Sequence, residues 1–169
     1  RSWLRSLRVK INFHPFACST FSLVIRILAE NKYKIRNMNK QEYAKANKEW
    51  LEAKAKEEGV KPLPKGIYYK VLAKGNEDGP TPTVRSIVTA HYTGWTINGK
   101  KFDTSRDGVP FACRLCDLID GWIIAMQQMH VGDKWELYIP AEMAYGNYSQ
   151  PGIPGGSTLI FEIELLGVS

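Results

Sequence analysis

The stretch Leu118-Ile119-Asp120-Gly121-Trp122-Ile123-Ile124-Ala125-Met126-Gln127-Gln128-Met129 constrains the fold more than any other part of this 169-residue chain. Leu118, Trp122, Ala125 and Met129 fall at i, i+4, i+7 and i+11, and Ile119, Ile123 and Met126 form a second row beside them. That is helical spacing, apolar around most of the circumference. Such a helix is stable when surrounded, not when laid on a surface. The segments before and after it read as strands. The expectation is one short helix held inside the curve of a sheet.

The strand signals are Ile67–Leu72, Val84–Thr93, Trp135–Ile139 and Ser157–Gly167. Asn98-Gly99, between Trp95-Thr96-Ile97 and Lys101-Phe102-Asp103, is a strong short-hairpin signal. A long loop runs from Pro140 to Gly156, with a short helical piece expected at Ala141–Ala144. Strands separated by turns around one buried helix indicate an α+β fold with an antiparallel sheet of about five strands.

The formal net charge of +6 misleads, because eight of the 23 Lys and Arg lie in residues 1–37 against one acid, Glu30. Residues 38–169 then carry 15 bases and 16 acids, a net charge of −1. The folded part therefore shows no electrostatic footprint for nucleic acid. No membrane contact is expected for the folded part, and the apolar run Phe16–Ile25 is too short for a membrane-spanning helix. Residues 1–37 allow three readings: sequence upstream of a start at Met38, a leader, or a true extension. A start at Met38 implies a cytoplasmic protein, and a genuine leader implies an exported or periplasmic one.

Asn39 followed by Glu42 resembles a capping box, and the segment to Glu58 is rich in Ala, Lys and Glu. A charged amphipathic helix is expected over 38–59, with Tyr43, Ala46, Trp50 and Ala53 on one face, Leu51 beside it, and a Glu52–Lys56 ion pair. That thin stripe either docks on the domain, pairs two copies in a homodimer through 39–58, or stays solvated. Gly59 and Lys61-Pro62-Leu63-Pro64 stop the helix, so 60–66 reads as a linker to a domain over 67–169.

Cys18, Cys113 and Cys116 are an odd count, which argues against a disulfide framework. Cys113-Arg114-Leu115-Cys116 matches C-x-x-C but stands without the second ligand pair that zinc needs. These cysteines read as packing residues, with a redox or metal role as the alternative. No metal site is expected.

Four blocks fall in a recognisable order. They are His91-Tyr92-Thr93-Gly94 with Gly99-Lys100-Lys101-Phe102-Asp103-Thr104-Ser105; Ile119-x-Gly121-Trp122; Ile139-Pro140-x-x-x-Ala144-Tyr145-Gly146; and Pro151-Gly152-Ile153-Pro154 running to Leu159–Leu166. Over about residues 60–169 the chain resembles the FKBP family of peptidyl-prolyl cis–trans isomerases. The resemblance implies a half-barrel sheet wrapped around the central helix. It also implies catalytic roles for Tyr92, Asp103 and Tyr145. Phe102, Phe111, Leu118, Ile119, Trp122, Ile153 and Phe161 are implied to line a substrate pocket. Trp122, Phe161 and Leu118 would also serve as core in any such fold, and Asp103 has a turn-capping alternative.

The implied activity is rotation about X-Pro bonds in proline-containing polypeptides, assisting folding, with no cofactor. The alternative is a module that only holds proline segments. Macrolide ligands are a further implication of the resemblance. The chain departs from the family pattern at Cys113, Leu118, Asp120 and Gln150, which bears on substrate preference more than on activity.

Overall fold

The computed structural model describes residues 38–169, and the readings made of residues 1–37 lie outside the described residues. Helix α1 spans Lys40–Lys54. Asn39 Oδ1 accepts from the Gln41 and Glu42 N–H groups at 3.0 Å each, and the Glu42 carboxylate accepts from the Asn39 N–H at 3.1 Å. The capping box is therefore complete.

The helix ends at Lys54, several residues before Gly59, so Lys56 leaves the helical face. The expected Glu52–Lys56 pair is replaced by Lys45–Glu49 at 3.7 Å and Lys54–Glu57 at 2.7 Å. The buried side is Tyr43, Asn47 and Leu51. The expected stripe is thus turned by about one residue. The reason is Asn47: a polar side chain hides the face in the sequence, yet here its hydrogen bonds are satisfied within the fold.

Seven strands form one antiparallel sheet. They are β1 (Val60–Pro62), β2 (Tyr68–Ala73), β3 (Ile87–Thr96), β4 (Lys101–Thr104), β5 (Phe111–Arg114), β6 (Lys134–Ile139) and β7 (Leu159–Val168). The order is β1-β2-β6-β7-β3-β4, with β5 also on β3. Two features raise the count above five. The edge along β3 is split, with β5 pairing the Ile87–Ala90 half and β4 pairing the Thr93–Trp95 part. And residues 60–66 are not simply a linker, because Val60–Pro62 pairs with Tyr68–Lys70. Pro62 is tolerated there because the strand is an edge.

Helix α2, Asp120–Met126, sits against the concave face. It is shorter than the apolar stretch that announces it. Leu118 and Ile119 approach it in extended conformation, and the residues after Met126 leave it as a turn. Trp122, Ala125, Met126 and Met129 join Leu137, Ile139, Leu159, Phe161, Ile163 and Leu165 in one core cluster. A Cβ added at Gly121 would lie 2.4 Å from Ile139 Cγ2 and 2.8 Å from its Cδ1. Only glycine lets the first turn of α2 come this close to β6.

The opposite face of β6 is covered in part by α1. Trp50 meets Tyr138 edge-on at 6.0 Å, and Lys54 Nζ lies 5.4 Å from the Tyr138 ring centre. The helix therefore docks on its own domain. Among the described residues no helix is long and apolar enough to cross a membrane.

Gly121→Ala forces Ile139 or α2 to move, and overpacking of this kind costs about 1–3 kcal/mol. Urea unfolding should show that loss as a lower midpoint at unchanged slope. An unchanged midpoint would mean that the α2–β6 contact is not tight.

Candidate active site

The site forms where the sheet edge is broken. Tyr92 lies on β3 opposite Ile163 of β7, and its other side faces the gap between β4 and β5. The last residue of β4, Thr104, and Ser105 just past it satisfy its backbone in place of a ladder strand. The Ser105 N–H donates to Tyr92 O at 3.0 Å, the Tyr92 N–H donates to Ser105 Oγ at 2.9 Å, and Thr104 Oγ1 donates to Tyr92 O at 3.1 Å. The Tyr92 backbone is thereby held across the gap, and its ring packs against Phe111, Trp122 and Phe161.

Phe102 and Asp103 are neighbours on β4, and regular pleating would point them to opposite faces. Both reach the same site because the register slips. Gly94 pairs with Asp103 while Trp95 pairs with Lys101, which leaves Phe102 as an extra residue. Such a bulge re-aims a side chain. The Phe102 ring then lies over Gly94, where a Cβ would meet Phe102 Cζ at 2.5 Å and Phe161 Cε1 at 2.9 Å. Gly94 is a site residue in the sense that no other side chain fits beneath the two rings.

Five aromatic rings make a cup. Trp122 is 5.2 Å from Tyr92, 5.2 Å from Phe161 and 6.1 Å from Phe111, all edge-to-face. Phe102 stands on Phe161 at 5.6 Å, and Tyr92 meets Phe111 at 5.6 Å. Edge-to-face pairs contribute about 0.5–1.5 kcal/mol each beyond burial. The Trp122 Nε1–H is buried with no acceptor among the described residues. An unmade bond of this kind costs about 1–3 kcal/mol, which the surrounding ring contacts offset.

The polar groups sit at the rim. Tyr92 Oη donates to Asp103 Oδ2 at 2.5 Å, and the Thr104 N–H donates to Asp103 Oδ1 at 2.8 Å. Burial pushes the Tyr92 hydroxyl well above its ordinary value. The hydrogen bond to Asp103, the charge of Asp103 and then the proximity of Tyr145 push it further. Ile119 caps α2 with its carbonyl, which accepts from Trp122 N–H at 2.9 Å, while its own N–H has no backbone partner among the described residues.

The remaining residues come from the long loop and the entry to α2. Tyr145 follows the helical turn Ala141–Met143, is exposed, and its hydroxyl makes no hydrogen bond among the described residues. Ile153 ends the tight turn Gln150-Pro151-Gly152-Ile153, closed by two backbone bonds of 2.8 and 2.9 Å, with Gly152 at φ +81°. That turn lies against Phe102, since a Cβ at Gly152 would be 3.4 Å from Phe102 Cβ. Ile153 belongs to the core cluster around Trp122, and half-buried Leu118 packs against it.

The structure thus gathers the residues named from the sequence. It adds Gly94, Thr104 and Ser105, which shape or hold the cup without lining it. The His-Tyr-Thr-Gly and Phe-Asp-Thr-Ser blocks contain all three, but nothing local shows that they bond across the gap. Cys113, half-buried on β5, and exposed Cys116 are free thiols.

A sequence model described as FKBP-type peptidyl-prolyl cis-trans isomerase matches residues 79–166, more than half of the chain. A second model, the domain amino terminal to FKBP-type peptidyl-prolyl isomerase, matches residues 20–71. The chain is 43% identical over 122 residues to the FKBP-type peptidyl-prolyl cis-trans isomerase FkpA of Escherichia coli, covering 72% of this chain and 44% of that protein. It is 39% identical over 121 residues to the outer membrane protein MIP of Legionella longbeachae, covering 70% and 51%. The crystal structure of a peptidyl-prolyl cis-trans isomerase from Pseudomonas syringae superposes with a TM-score of 0.72 at 36% identity, covering 79% of this chain and 98% of that one. The chain spans less than half the length of the FkpA proteins it matches. The broken edge strand, the aromatic cup beneath it and these matches lead to one conclusion: the chain belongs to the FKBP-type peptidyl-prolyl cis-trans isomerase family.

Proposed function

We propose that the chain catalyses rotation about X-Pro peptide bonds of polypeptides and so assists their folding. The observation that carries this is a cup of five aromatic rings with the Tyr92 and Asp103 polar groups at its rim. A planar amide resists twisting by about 18–20 kcal/mol because rotation breaks its resonance. The twisted amide is less polar than the planar one. A water-poor aromatic cup therefore destabilises the bound planar form relative to the twisted form, which is differential binding of the transition state. Each ~1.4 kcal/mol of that preference speeds rotation about tenfold.

The roles follow from position. Phe102, Trp122 and Phe161 hold the proline ring, with Phe111, Leu118 and Ile153 completing the wall. The free Ile119 N–H and the Tyr145 hydroxyl hold substrate carbonyls. Asp103, oriented by the Tyr92 hydroxyl and the Thr104 N–H, faces the bond that twists. No step needs a nucleophile or a proton transfer, and the cup supplies none.

A second reading rests on Val109 and Tyr148, whose exposure of 84% and 80% marks the two loops that border the cup. An apolar rim of this kind favours holding unfolded segments without turnover. A macrolide ring would compete for the same cup. Pairing of two copies through residues 39–58 would have to use the outward side of α1, because Tyr43, Asn47 and Leu51 are buried. For location, the relative named as an outer membrane protein supports export over a cytoplasmic start at Met38.

A protease-coupled assay on an Ala-X-Pro-Phe peptide tests the main reading, and a rate no higher than the uncatalysed one would leave only the holding role. Asp103→Ala and Tyr145→Phe should each lower kcat/KM by about tenfold. Their thermal stability should stay within about 0.5 kcal/mol of the parent, as for other surface changes. If either variant unfolds instead, that side chain is structural.

Alkaline titration gives an independent check on the rim. Tyr92 is held protonated above its ordinary value of 10.0 by burial first and Asp103 second. A raised folded value means that its contribution to stability is fully present below pH 10 and is lost as pH rises through the folded value. Phenolate absorbance of Tyr92→Phe should therefore lack one late-titrating tyrosine. An ordinary midpoint for that lost signal would contradict the Tyr92–Asp103 contact.

A further inference from the structure

We propose that α1 is a positioning element of the isomerase site, acting through Tyr43 and Asn47 on the loop that carries Tyr145 and Ile153. This rests on the isomerase reading and adds to it two residues more than a hundred positions away in sequence from the loop they hold.

The contacts form a continuous chain. Ser157 Oγ donates to Pro154 O at 2.6 Å, which uses its single proton. The 2.9 Å contact between Tyr43 Oη and Ser157 Oγ is then donated by the tyrosine. The relay from Tyr43 through Ser157 ends on the carbonyl directly after Ile153. One helical turn further on, Asn47 Oδ1 accepts from the Thr158 N–H at 2.8 Å, and Thr158 Oγ1 donates to Asn47 O at 3.3 Å. Asn47 Nδ2 donates back to Tyr43 O at 2.8 Å. Asn47 is 1% exposed and all of its side-chain polar atoms are used.

Between these two tethers Gly156 passes against the helix. At φ +82°, a Cβ there would sit 3.0 Å from Ala44 Cβ. The same segment holds the other limb of the loop. The Gly156 N–H donates to Gly146 O at 2.8 Å, and the Gly155 N–H donates to Ser149 Oγ at 3.0 Å. Gly146 directly follows Tyr145. The helix thus fixes 154–158, and 154–158 fixes 146–149. Both loop residues of the site, Ile153 and Tyr145, are one position away from an anchored backbone carbonyl. Misplacing a substrate-positioning group costs catalysis even when the group remains present.

A role in stability alone would be shared by every α1 contact. Trp50, which meets Tyr138 about one helical turn beyond Asn47 and touches neither tether, is therefore the comparison. The full chain is tested as Tyr43→Phe, Asn47→Ala and Trp50→Ala, with steady-state kinetics on a proline peptide and amide hydrogen exchange of residues 145–158. In Tyr43→Phe, kcat/KM should fall roughly fivefold, the effect of one hydrogen bond. Most of that fall should appear in KM, with faster exchange across 145–158. Asn47→Ala should exceed it, and Asn47→Asp, which keeps the acceptor, should recover part of the loss. Trp50→Ala should leave KM and loop exchange at parental values.

The proposal is overturned if Tyr43→Phe keeps parental KM and exchange, if exchange rises while KM stays, or if Trp50→Ala shifts both equally. Tyr43→Phe decides the matter if Asn47→Ala does not fold. Should the parent show no isomerase activity, that reading fails separately. The positioning role of α1 is then judged on loop exchange and on the peptide's affinity, read from tryptophan fluorescence, with the same outcomes.

Discussion

The structure depends on how the Trp122 indole is enclosed. It is the largest side chain on a helix of only seven residues, and a helix that short has little stability of its own. Packing holds it in place: Ile139 against Gly121 on one side, and Tyr92, Phe111 and Phe161 edge-on around the ring on the other. The same contacts that close the core also make the floor of the cup. Core and site share one set of rings, so the site cannot be loosened without loosening the fold. That sharing gives the pocket its rigidity.

Around this floor, interruptions of regular structure do the positioning. The edge along β3 is split so that Tyr92 faces a gap. The register slip on β4 brings Phe102 and Asp103 to one face. The long loop between β6 and β7 supplies Tyr145 and Ile153, and its far side is tied to α1. Each interruption frees a backbone group, and each has a specific partner. Ser105 and Thr104 serve Tyr92, and Asn47 serves Thr158. Polar groups buried this way are costly when unpaired, so these small polar residues carry as much of the architecture as the apolar ones.

Legibility in the sequence followed the range of the interaction. The capping box at Asn39 and Glu42 and the helical period of Leu118–Met129 are both set within a few residues, and both were readable. The pairing of Val60–Pro62 with β2 was not. A three-residue strand with a lysine and a proline carries no alternation, and it is defined by its neighbour. The true buried side of α1 was misread by one residue, because Asn47 breaks the apolar stripe and its partner Thr158 is 111 residues away. For the site, the aromatic and acidic residues were legible as blocks. The bulge that brings Phe102 and Asp103 together, and the need for Gly94 beneath two rings, were not.

By itself, then, the sequence determined the buried central helix, the longer strands with their turns, the family and the motif blocks from which the candidate site is drawn. Those depend on local periodicity, turn chemistry and motif order, which a linear chain expresses directly. Only the tertiary structure decided which face of α1 is buried, where the sheet edge breaks and how the 145–158 loop is held. Those outcomes depend on hydrogen bonds and close approaches between residues far apart in sequence. Their geometry exists only once the sheet has curved around Trp122.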